Sequence, residues 1–443
     1  MVVRRIFEIG KRWVLPAVSV VIVALALSFA DGRSATGAGD ERGDQRVACD
    51  AGNGGITLPS GFCASVFADS LGGARHIAVA PNGDVFISLR RAPERRGGIV
   101  ALRDTSGDGR ADVRVYFGTP GGTGILVRDD LLYHDAVTAI VRYGLTPGTL
   151  QPSGVPDTIV SGLPTGGHGA RNFVIDDDAK LLVNIGSESN SCQVANRTRE
   201  SPGHDPCTEL ETRAGIWVFN ANRLGQTPRD GQRFATGIRN AVALTINELD
   251  GNLYAVQHGR DQLFEHWPAL YTAQQSAEKP AEELLRVNHR DDFGWPYCYY
   301  DQDLKQRVLA PEYGGDGKTA GRCASLEQPV LAFPGHWAPN SILFYSGAMF
   351  PERYRGGAFI AFRGSWNRSP LPQAGYRVVF VPFTRGRAGS RYETFADGFA
   401  GGEVMVRDSA DFRPMGLAQS PNGSLYITDS KQGRVWKVVA SRR

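Results

Sequence analysis

The chain has 443 residues, with 49 lysines and arginines against 46 aspartates and glutamates, a net charge of +3. Arg4, Arg5, Lys11 and Arg12 against Glu8 account for that excess, so the rest of the chain is balanced, which argues against a folded body that binds nucleic acid or an acidic membrane surface. A hydrophobic content of 42% supplies a large core, while 54 glycines and 25 prolines predict an all-β protein of short strands rather than a helical one.

A basic stretch from Arg4 to Arg12 precedes an apolar run from Leu15 to Ala30, with Ser28 and Ala30 at its small-residue end. Residues 1–30 read as a secretory signal or as an N-terminal membrane anchor. Either places the body outside the cytoplasm, periplasmic or secreted. Residues 31–55 are rich in Gly, Asp, Arg and Ser and read as a flexible tether, leaving 56–443 as the folded domain. The six cysteines admit fifteen pairings. The nearest-neighbour set, Cys49/Cys63, Cys192/Cys207 and Cys298/Cys323, closes three short loops and suits export. No Cys-x-x-Cys-His or zinc-like spacing occurs.

From residue 56 a pattern returns: an apolar run, an Asp/Asn/Gly turn, a second apolar run. It occurs at 76–88, 124–133, 173–183, 243–254, 341–361 and 416–428. Each unit is a hairpin with suitable turn chemistry. Six imperfect copies match the period of propeller blades, which bury their faces only by closing into a ring. The expected fold is a six-bladed β-propeller with four antiparallel strands per blade. Gly433–Val439 is a final strand, and Phe62–Phe67 completes its blade. Ala273–Arg286 is the best helical segment, an insertion.

If these hairpins are the inner strands, the residues flanking them open on one rim. Those residues are Arg75, His76, Arg90, His134, Asp135, His168, Arg171, Asn172, Arg239, Asn240, Gln257, His258, Arg260, Asp261, His336, Arg363, Arg413, Asp429 and Lys431. Such a ring of His, Arg and Asn makes a site for an anionic ligand with bases in it. In part it is also what polar blade-connecting loops look like.

The stretch Thr165-Gly-Gly-His-Gly-Ala-Arg-Asn172 sets His168 among glycines before an apolar strand. Glycine allows close approach of backbone to a ligand, and histidine is suited to accept a proton near neutral pH. His168 is therefore the candidate general base. Alone, the stretch also describes a histidine hydrogen-bonded in a Gly-rich turn. In Asp104-Thr-Ser-Gly-Asp-Gly-Arg-Ala-Asp112, residues Asp104, Ser106, Asp108 and Asp112 fall at calcium-loop positions, but Val115 stands where a bidentate glutamate is expected. This is a second Ca²⁺ site or a plain Asp-Gly turn. Trp295 either flanks a substrate channel or packs a loop onto the barrel, and Asn196-Arg-Thr198 is a glycosylation sequon.

Seven motifs occur in a telling order: Gly167-His-Gly-Ala-Arg171, Gly237-Ile-Arg-Asn240, Gln257-His-Gly-Arg-Asp261, Asp292-Phe-Gly-Trp-Pro296, Ala338-Pro-Asn-Ser341, Phe362-Arg-Gly-Ser-Trp-Asn367 and Arg413-Pro-Met-Gly416. With the repeated Asn-Gly-x-Leu-Tyr hairpins, they make roughly residues 56–440 resemble the soluble PQQ-dependent glucose dehydrogenases and their sorbosone dehydrogenase relatives, six-bladed propellers. The resemblance implies an oxidoreductase of a sugar or related alcohol or aldehyde, with PQQ and Ca²⁺ as cofactors. His168 would take the hydroxyl proton while hydride passes to PQQ. Arg239, Asn240, His336, Arg363 and Arg413 would hold PQQ, and Gly259, Arg260 and Asp261 occupy the calcium loop. The loop is shorter than in glucose-oxidising members and lacks their Pro. Arg363 stands where they have lysine, and His336 where they have a hydroxyl residue. Similarity to the sorbosone branch is better. Two other readings use the same rim: a calcium-dependent lactonase with Asp135, Asp261 and Asp429 on the metal, and a binding propeller without chemistry. The electron acceptor is not legible.

Overall fold

The computed structural model describes residues 48–90, 97–119, 121–406 and 408–441. Six four-stranded antiparallel sheets succeed one another along the chain. Blade 1 comprises Ala74–Val79, Val85–Leu89, Ile99–Arg103 and Val113–Phe117; blade 2, Ile125–Arg128, Leu131–Asp135, Ala139–Gly144 and Asp157–Ser161. Blade 3 comprises Phe173–Ile175, Lys180–Ile185, Gly215–Asn220 and Gln232–Thr236; blade 4, Ala243–Ile246, Leu253–Gln257, Glu282–Val287 and Leu331–Phe333. Blade 5 comprises Pro339–Phe344, Ala358–Phe362, Arg377–Val381 and Glu393–Ala396. Blade 6 takes Pro414–Gln419, Leu425–Asp429 and Val435–Ala440 from the C-terminal end and Phe62–Ala68 from the other. The first strands of blades 3, 4, 5, 6, 1 and 2 pack on one another in that order. They line the centre, and this is the expected six-bladed propeller.

The turn chemistry is local. In blade 1, Asn82 Oδ1 accepts from the Asp84 N–H at 3.1 Å, and Gly83 sits at φ +92°. Blade 6 repeats it, with Asn422 Oδ1 and the Ser424 N–H at 3.1 Å and Gly423 at φ +91°. Side-chain amides of this kind mimic a backbone turn, and glycine alone reaches such a φ without strain.

Cores lie between blades. Between blades 5 and 6, buried Phe62, Phe350, Tyr354, Phe359, Phe380 and Phe395 share one cluster. The Phe62 ring meets Phe350 at 4.8 Å and Phe395 at 5.0 Å, both edge-on, the favoured aromatic geometry. That anchors the closing strand, whose register runs from Phe62 opposite Ala440 to Ala68 opposite Val435.

The three disulfides Cys49–Cys63, Cys192–Cys207 and Cys298–Cys323 are those expected. The first draws the end of the expected tether onto the ring. Asp50 Oδ2 accepts from the Val66 N–H at 2.7 Å, and Gly54 O accepts from Trp436 Nε1 at 3.1 Å. Residues 48–55 are therefore part of the domain, a correction to the boundary at 55. Residues 1–30 and the rest of the tether lie outside the described residues. Among the described residues no helix is long and apolar enough to cross a membrane.

The helical insertion is also shorter than expected. The helix covers Ala273–Glu278 and stops before Pro280, and Glu282–Val287 is the third strand of blade 4. Pro280 has no N–H to continue a helix, and Leu284, Leu285 and Val287 are buried between blades. This insertion shares one face of the ring with the long loop of blade 3 (186–214) and that of blade 5 (363–376).

Candidate active site

His168 enters on the connection into blade 3. Its backbone N–H donates to Ser187 O at 2.9 Å. Its Nδ1 lies 3.0 Å from the same oxygen and 2.9 Å from Ser187 Oγ. A carbonyl can only accept, so Nδ1 carries the proton and Nε2 keeps its lone pair. Ser187 Oγ donates onward to Ser189 O at 2.8 Å, which leaves it an acceptor for Nδ1–H. Burial, aided by the Arg239 charge, pushes the His168 pKa down to about 3, so the ring is neutral at neutral pH. Gly186 makes the close packing possible: a Cβ there would stand 2.5 Å from His168 O and 2.8 Å from its Cβ.

Arg239 is fixed within the protein. Its Nε donates to Asn190 O (3.1 Å), Nη1 to Gly259 O (2.9 Å), and Nη2 to Asn190 Oδ1 (3.0 Å) and Asp261 Oδ2 (2.9 Å). One Nη1 hydrogen remains for a ligand. Asn240 is buried with its Oδ1 unpartnered. His336 is buried, its Nε2 2.8 Å from Ser276 O and its Nδ1 3.8 Å from Asp261 Oδ1. Asp261 also binds Arg197 (2.7 Å) and Asn367 (3.0 Å). Burial opposes its charge, but Arg239 and Arg197 hold the carboxyl well below the usual range. Glu282, buried and pushed up to about 8 by that burial, braces two site loops, accepting from the Gly259 N–H at 2.9 Å and the Ala338 N–H at 3.1 Å.

A second group of arginines is not neutralised. Arg75 is buried, with Nε on Thr123 Oγ1 at 3.2 Å, and Arg363 places Nε on Ser430 Oγ at 3.0 Å. Among the described residues neither has a carboxylate at ion-pair distance. Burial, then Arg363 and Arg90, push the Arg75 pKa down to about 9; burial, then Arg413, push that of Arg363 to about 10. Arg413 props its neighbour instead: Nε donates to Arg363 O at 3.2 Å and Nη2 to Gly364 O at 2.5 Å. The unneutralised guanidiniums of buried Arg75 and half-buried Arg363, with the open Asn240 oxygen, fit a cofactor bearing several carboxylates. Arg75 was visible in the sequence as a rim residue, but no motif marked it as a cofactor ligand.

The calcium positions fare differently. Calcium takes about six to eight oxygens. Gly259 O already accepts from Arg239, both Asp261 oxygens are engaged, and Arg260 turns away into a buried ion pair with Glu312. As arranged, these residues do not fit the ion. At 104–112, Asp104 accepts from the Gly107 and Gly109 N–H groups (2.7 and 2.8 Å), Asp108 from Arg110 (2.9 Å) and Asp112 from Thr105 (2.7 Å). Of the two readings of Asp104, Ser106, Asp108 and Asp112, a second Ca²⁺ site or a plain turn, this arrangement is that of an Asp-capped turn whose carboxylates serve its own backbone. Among the described residues no group of three or more His, Cys, Asp or Glu could hold a metal ion. The lactonase candidates are committed likewise: Asp135 to Arg171 at 3.1 Å, and Asp429 to the backbone of Arg413, Lys431 and Gln432. Trp295 packs a loop: it is buried with Nε1 on Asn190 O at 3.0 Å, beside the Cys192–Cys207 disulfide.

Fold and site together define a six-bladed β-propeller with a neutral histidine and unneutralised arginines on one face of its ring. The chain belongs to the TrAA12-like family, whose model matches residues 56–441. Two curated relatives are each 26% identical to it. One is an uncharacterized protein of Borreliella burgdorferi, matched over 274 residues, 61% of this chain and 60% of that protein. The other is pyrroloquinoline quinone-dependent pyranose dehydrogenase of Coprinopsis cinerea, matched over 324 residues, 63% of this chain and 40% of that protein. The chain thus spans 60% and 40% of the lengths of these relatives.

Among solved structures, the holo PQQ domain of the Coprinopsis cinerea pyranose dehydrogenase has a TM-score of 0.70 at 20% identity, covering 87% of this chain and 97% of that one. A calcium structure of the Trichoderma reesei family AA12 enzyme gives 0.71 at 17%, covering 87% and 97%. The PQQ-bound aldose sugar dehydrogenase of Streptomyces coelicolor gives 0.53 at 17%, covering 86% and 99%. These likenesses establish the fold. The resemblance to PQQ-dependent sugar dehydrogenases holds at this level, without singling out the sorbosone branch.

Proposed function

We propose that this chain is an exported PQQ-dependent oxidoreductase of a sugar or related alcohol, with His168 as the general base. The observation that carries the reading is the pair Arg75, buried, and Arg363, half-buried, guanidiniums without a carboxylate at ion-pair distance among the described residues, on the same face of the ring as a neutral His168 whose Nε2 keeps its lone pair. Such charges call for an anion of several carboxylates. Arg75, Arg363 and the free N–H of Arg239 would bind those carboxylates; Asn240 and His336 would line the same site, and Arg413 would hold Arg363 in place. When bound, PQQ supplies a quinone that accepts hydride from the substrate carbon.

The protein's own part is the proton. A hydroxyl hydrogen passes to Nε2 of His168, and the Ser187 carbonyl, already on Nδ1–H, stabilises the imidazolium that forms. The Asp261 carboxylate favours that charge and Arg239 opposes it. Calcium is given no step, because the oxygens at Gly259 and Asp261 are in use. The export reading is supported by three disulfides, which persist in oxidising compartments.

The test is a titration of purified protein with PQQ, followed by absorbance and melting temperature, then reduction of an artificial electron acceptor with an aldose. Saturable binding with sugar-dependent turnover is expected. No binding and no thermal shift would end the proposal.

A further inference from the structure

Trp366 stands out beside the site. It is 42% exposed, whereas most of the other exposed large hydrophobics among the described residues are aliphatic. Its mounting is rigid. The Ser365 N–H donates to Ala374 O at 2.8 Å and the Gly364 N–H to Trp337 O at 2.9 Å. Arg368 reaches back to Ala277 O at 2.8 Å and Gly335 O at 3.0 Å.

The indole is tied to the cluster that adjoins His168. Arg197 lies over its ring, 5.9 Å from the centroid, while Arg197 Nη2 holds Asp261 Oδ2 at 2.7 Å. That same oxygen accepts from Arg239. The next residue, Asn367, gives its Nδ2 to Asp261 Oδ1 and leaves a buried Oδ1 unpartnered. The part-exposed indole thus sits in an anchored loop next to guanidinium and amide groups. It suits a ligand with an apolar face and a polar rim, and a sugar ring in its chair form has both: C–H bonds on one face and hydroxyls around the edge.

We propose that Trp366 is the platform on which the ring of a pyranose substrate packs, selecting cyclic sugars over open-chain alcohols and aldehydes. This rests on the sugar-oxidoreductase reading above. It makes Trp366 a binding residue, separate from the groups assigned to the cofactor and to the proton.

The experiment compares wild type, Trp366→Phe and Trp366→Ala, all loaded with PQQ. Cofactor affinity is read by absorbance, and kcat and KM are measured for an aldopyranose and for glyceraldehyde. Trp366→Ala is expected to raise the aldopyranose KM about tenfold while kcat and PQQ affinity hold, with the glyceraldehyde KM unchanged and Trp366→Phe intermediate. An unchanged aldopyranose KM would overturn the platform, as would a loss of PQQ affinity, which would place the indole against the cofactor. Saturation-transfer NMR of the aldopyranose with PQQ-free protein gives a second readout. Signal on the ring protons that disappears in Trp366→Ala supports the platform even if wild type shows no turnover, a result that would count against the oxidoreductase reading alone. Signal that persists in Trp366→Ala overturns it.

Discussion

Ser187 sets both its carbonyl oxygen, at 3.0 Å, and its hydroxyl oxygen, at 2.9 Å, against Nδ1 of His168. One residue therefore fixes the tautomer and leaves the lone pair on Nε2. Replacing His168 with Ala is expected to lower kcat by about 10²–10⁴-fold, the usual worth of a positioned base, while PQQ affinity holds. Ser187→Ala keeps the carbonyl and should cost only a few-fold in kcat. Single-turnover kinetics beside a PQQ absorbance titration separates the two; loss of PQQ binding in His168→Ala would assign the ring a structural role.

Arg75 and Arg363 carry the cofactor part of the proposal. Each charge-assisted hydrogen bond to a carboxylate is worth roughly 1.5–3 kcal/mol, so Arg363→Ala or Arg75→Met should weaken PQQ about ten- to a hundredfold. Arg363→Lys should recover part of this, since it keeps charge but not the planar fork. Unaltered affinity in both neutral variants would show that the carboxylates bind elsewhere.

The buried pair of Arg260 and Glu312 makes a prediction about stability rather than chemistry. Glu312 also accepts from Ser191 Oγ and Trp267 Nε1, each at 3.1 Å. Removing either partner strands a buried charge, at a cost of about 3–5 kcal/mol. Urea denaturation of Glu312→Ala should show that loss, while a double replacement by apolar residues of similar volume should be less damaging. A single variant as stable as wild type would mean that water reaches the pair.

The Asp104–Asp112 turn should be indifferent to calcium, since its carboxylates cap its own N–H groups. The melting temperature of PQQ-free protein is expected to be the same in millimolar calcium and in chelator. A calcium-dependent rise abolished by Asp108→Ala would reinstate a metal there.

Acid should destabilise the fold early. Burial holds His76 neutral with a pKa of about 4 and His134 with one of about 3. The unfolded chain binds protons at these rings that the fold refuses, so their contribution is complete above about pH 6.5 and is lost as pH falls through those folded values. Thermal melts should shift downward from pH 7 to pH 4. A flat profile over that range would mean that the buried rings find acceptors when charged.

What could be read from the sequence follows the range of the interactions involved. The blade hairpins are written in neighbouring residues, so Asn82-Gly83 and Asn422-Gly423 announce their turns. The closing strand was legible because Phe62–Phe67 had no other blade to join. The part proposed for Arg75 was not, because what separates Arg75 from Arg171 is whether a carboxylate lies across from it. Arg171 has Asp135 at 3.1 Å; Arg75 has the Thr123 hydroxyl at 3.2 Å and, among the described residues, no carboxylate at ion-pair distance. The residues at 104–112 left two readings open for the same reason. Spacing places Asp104, Asp108 and Asp112 in a loop, but it does not reveal that the loop's own amides use their oxygens. Gly186 carried no motif at all: its importance lies in His168 packing against it from another segment.

The strand that seals the ring is among the first parts of the domain to be synthesised, and its partner is the last. Until Val435–Ala440 has been made, Phe62–Ala68 has no ladder to join and leaves an apolar edge exposed. A frameshift or premature stop anywhere in the final blade would therefore leave an unclosed, sticky ribbon rather than a slightly shortened protein. Synthesis of Val435–Ala440 is the step on which closure of the ring turns.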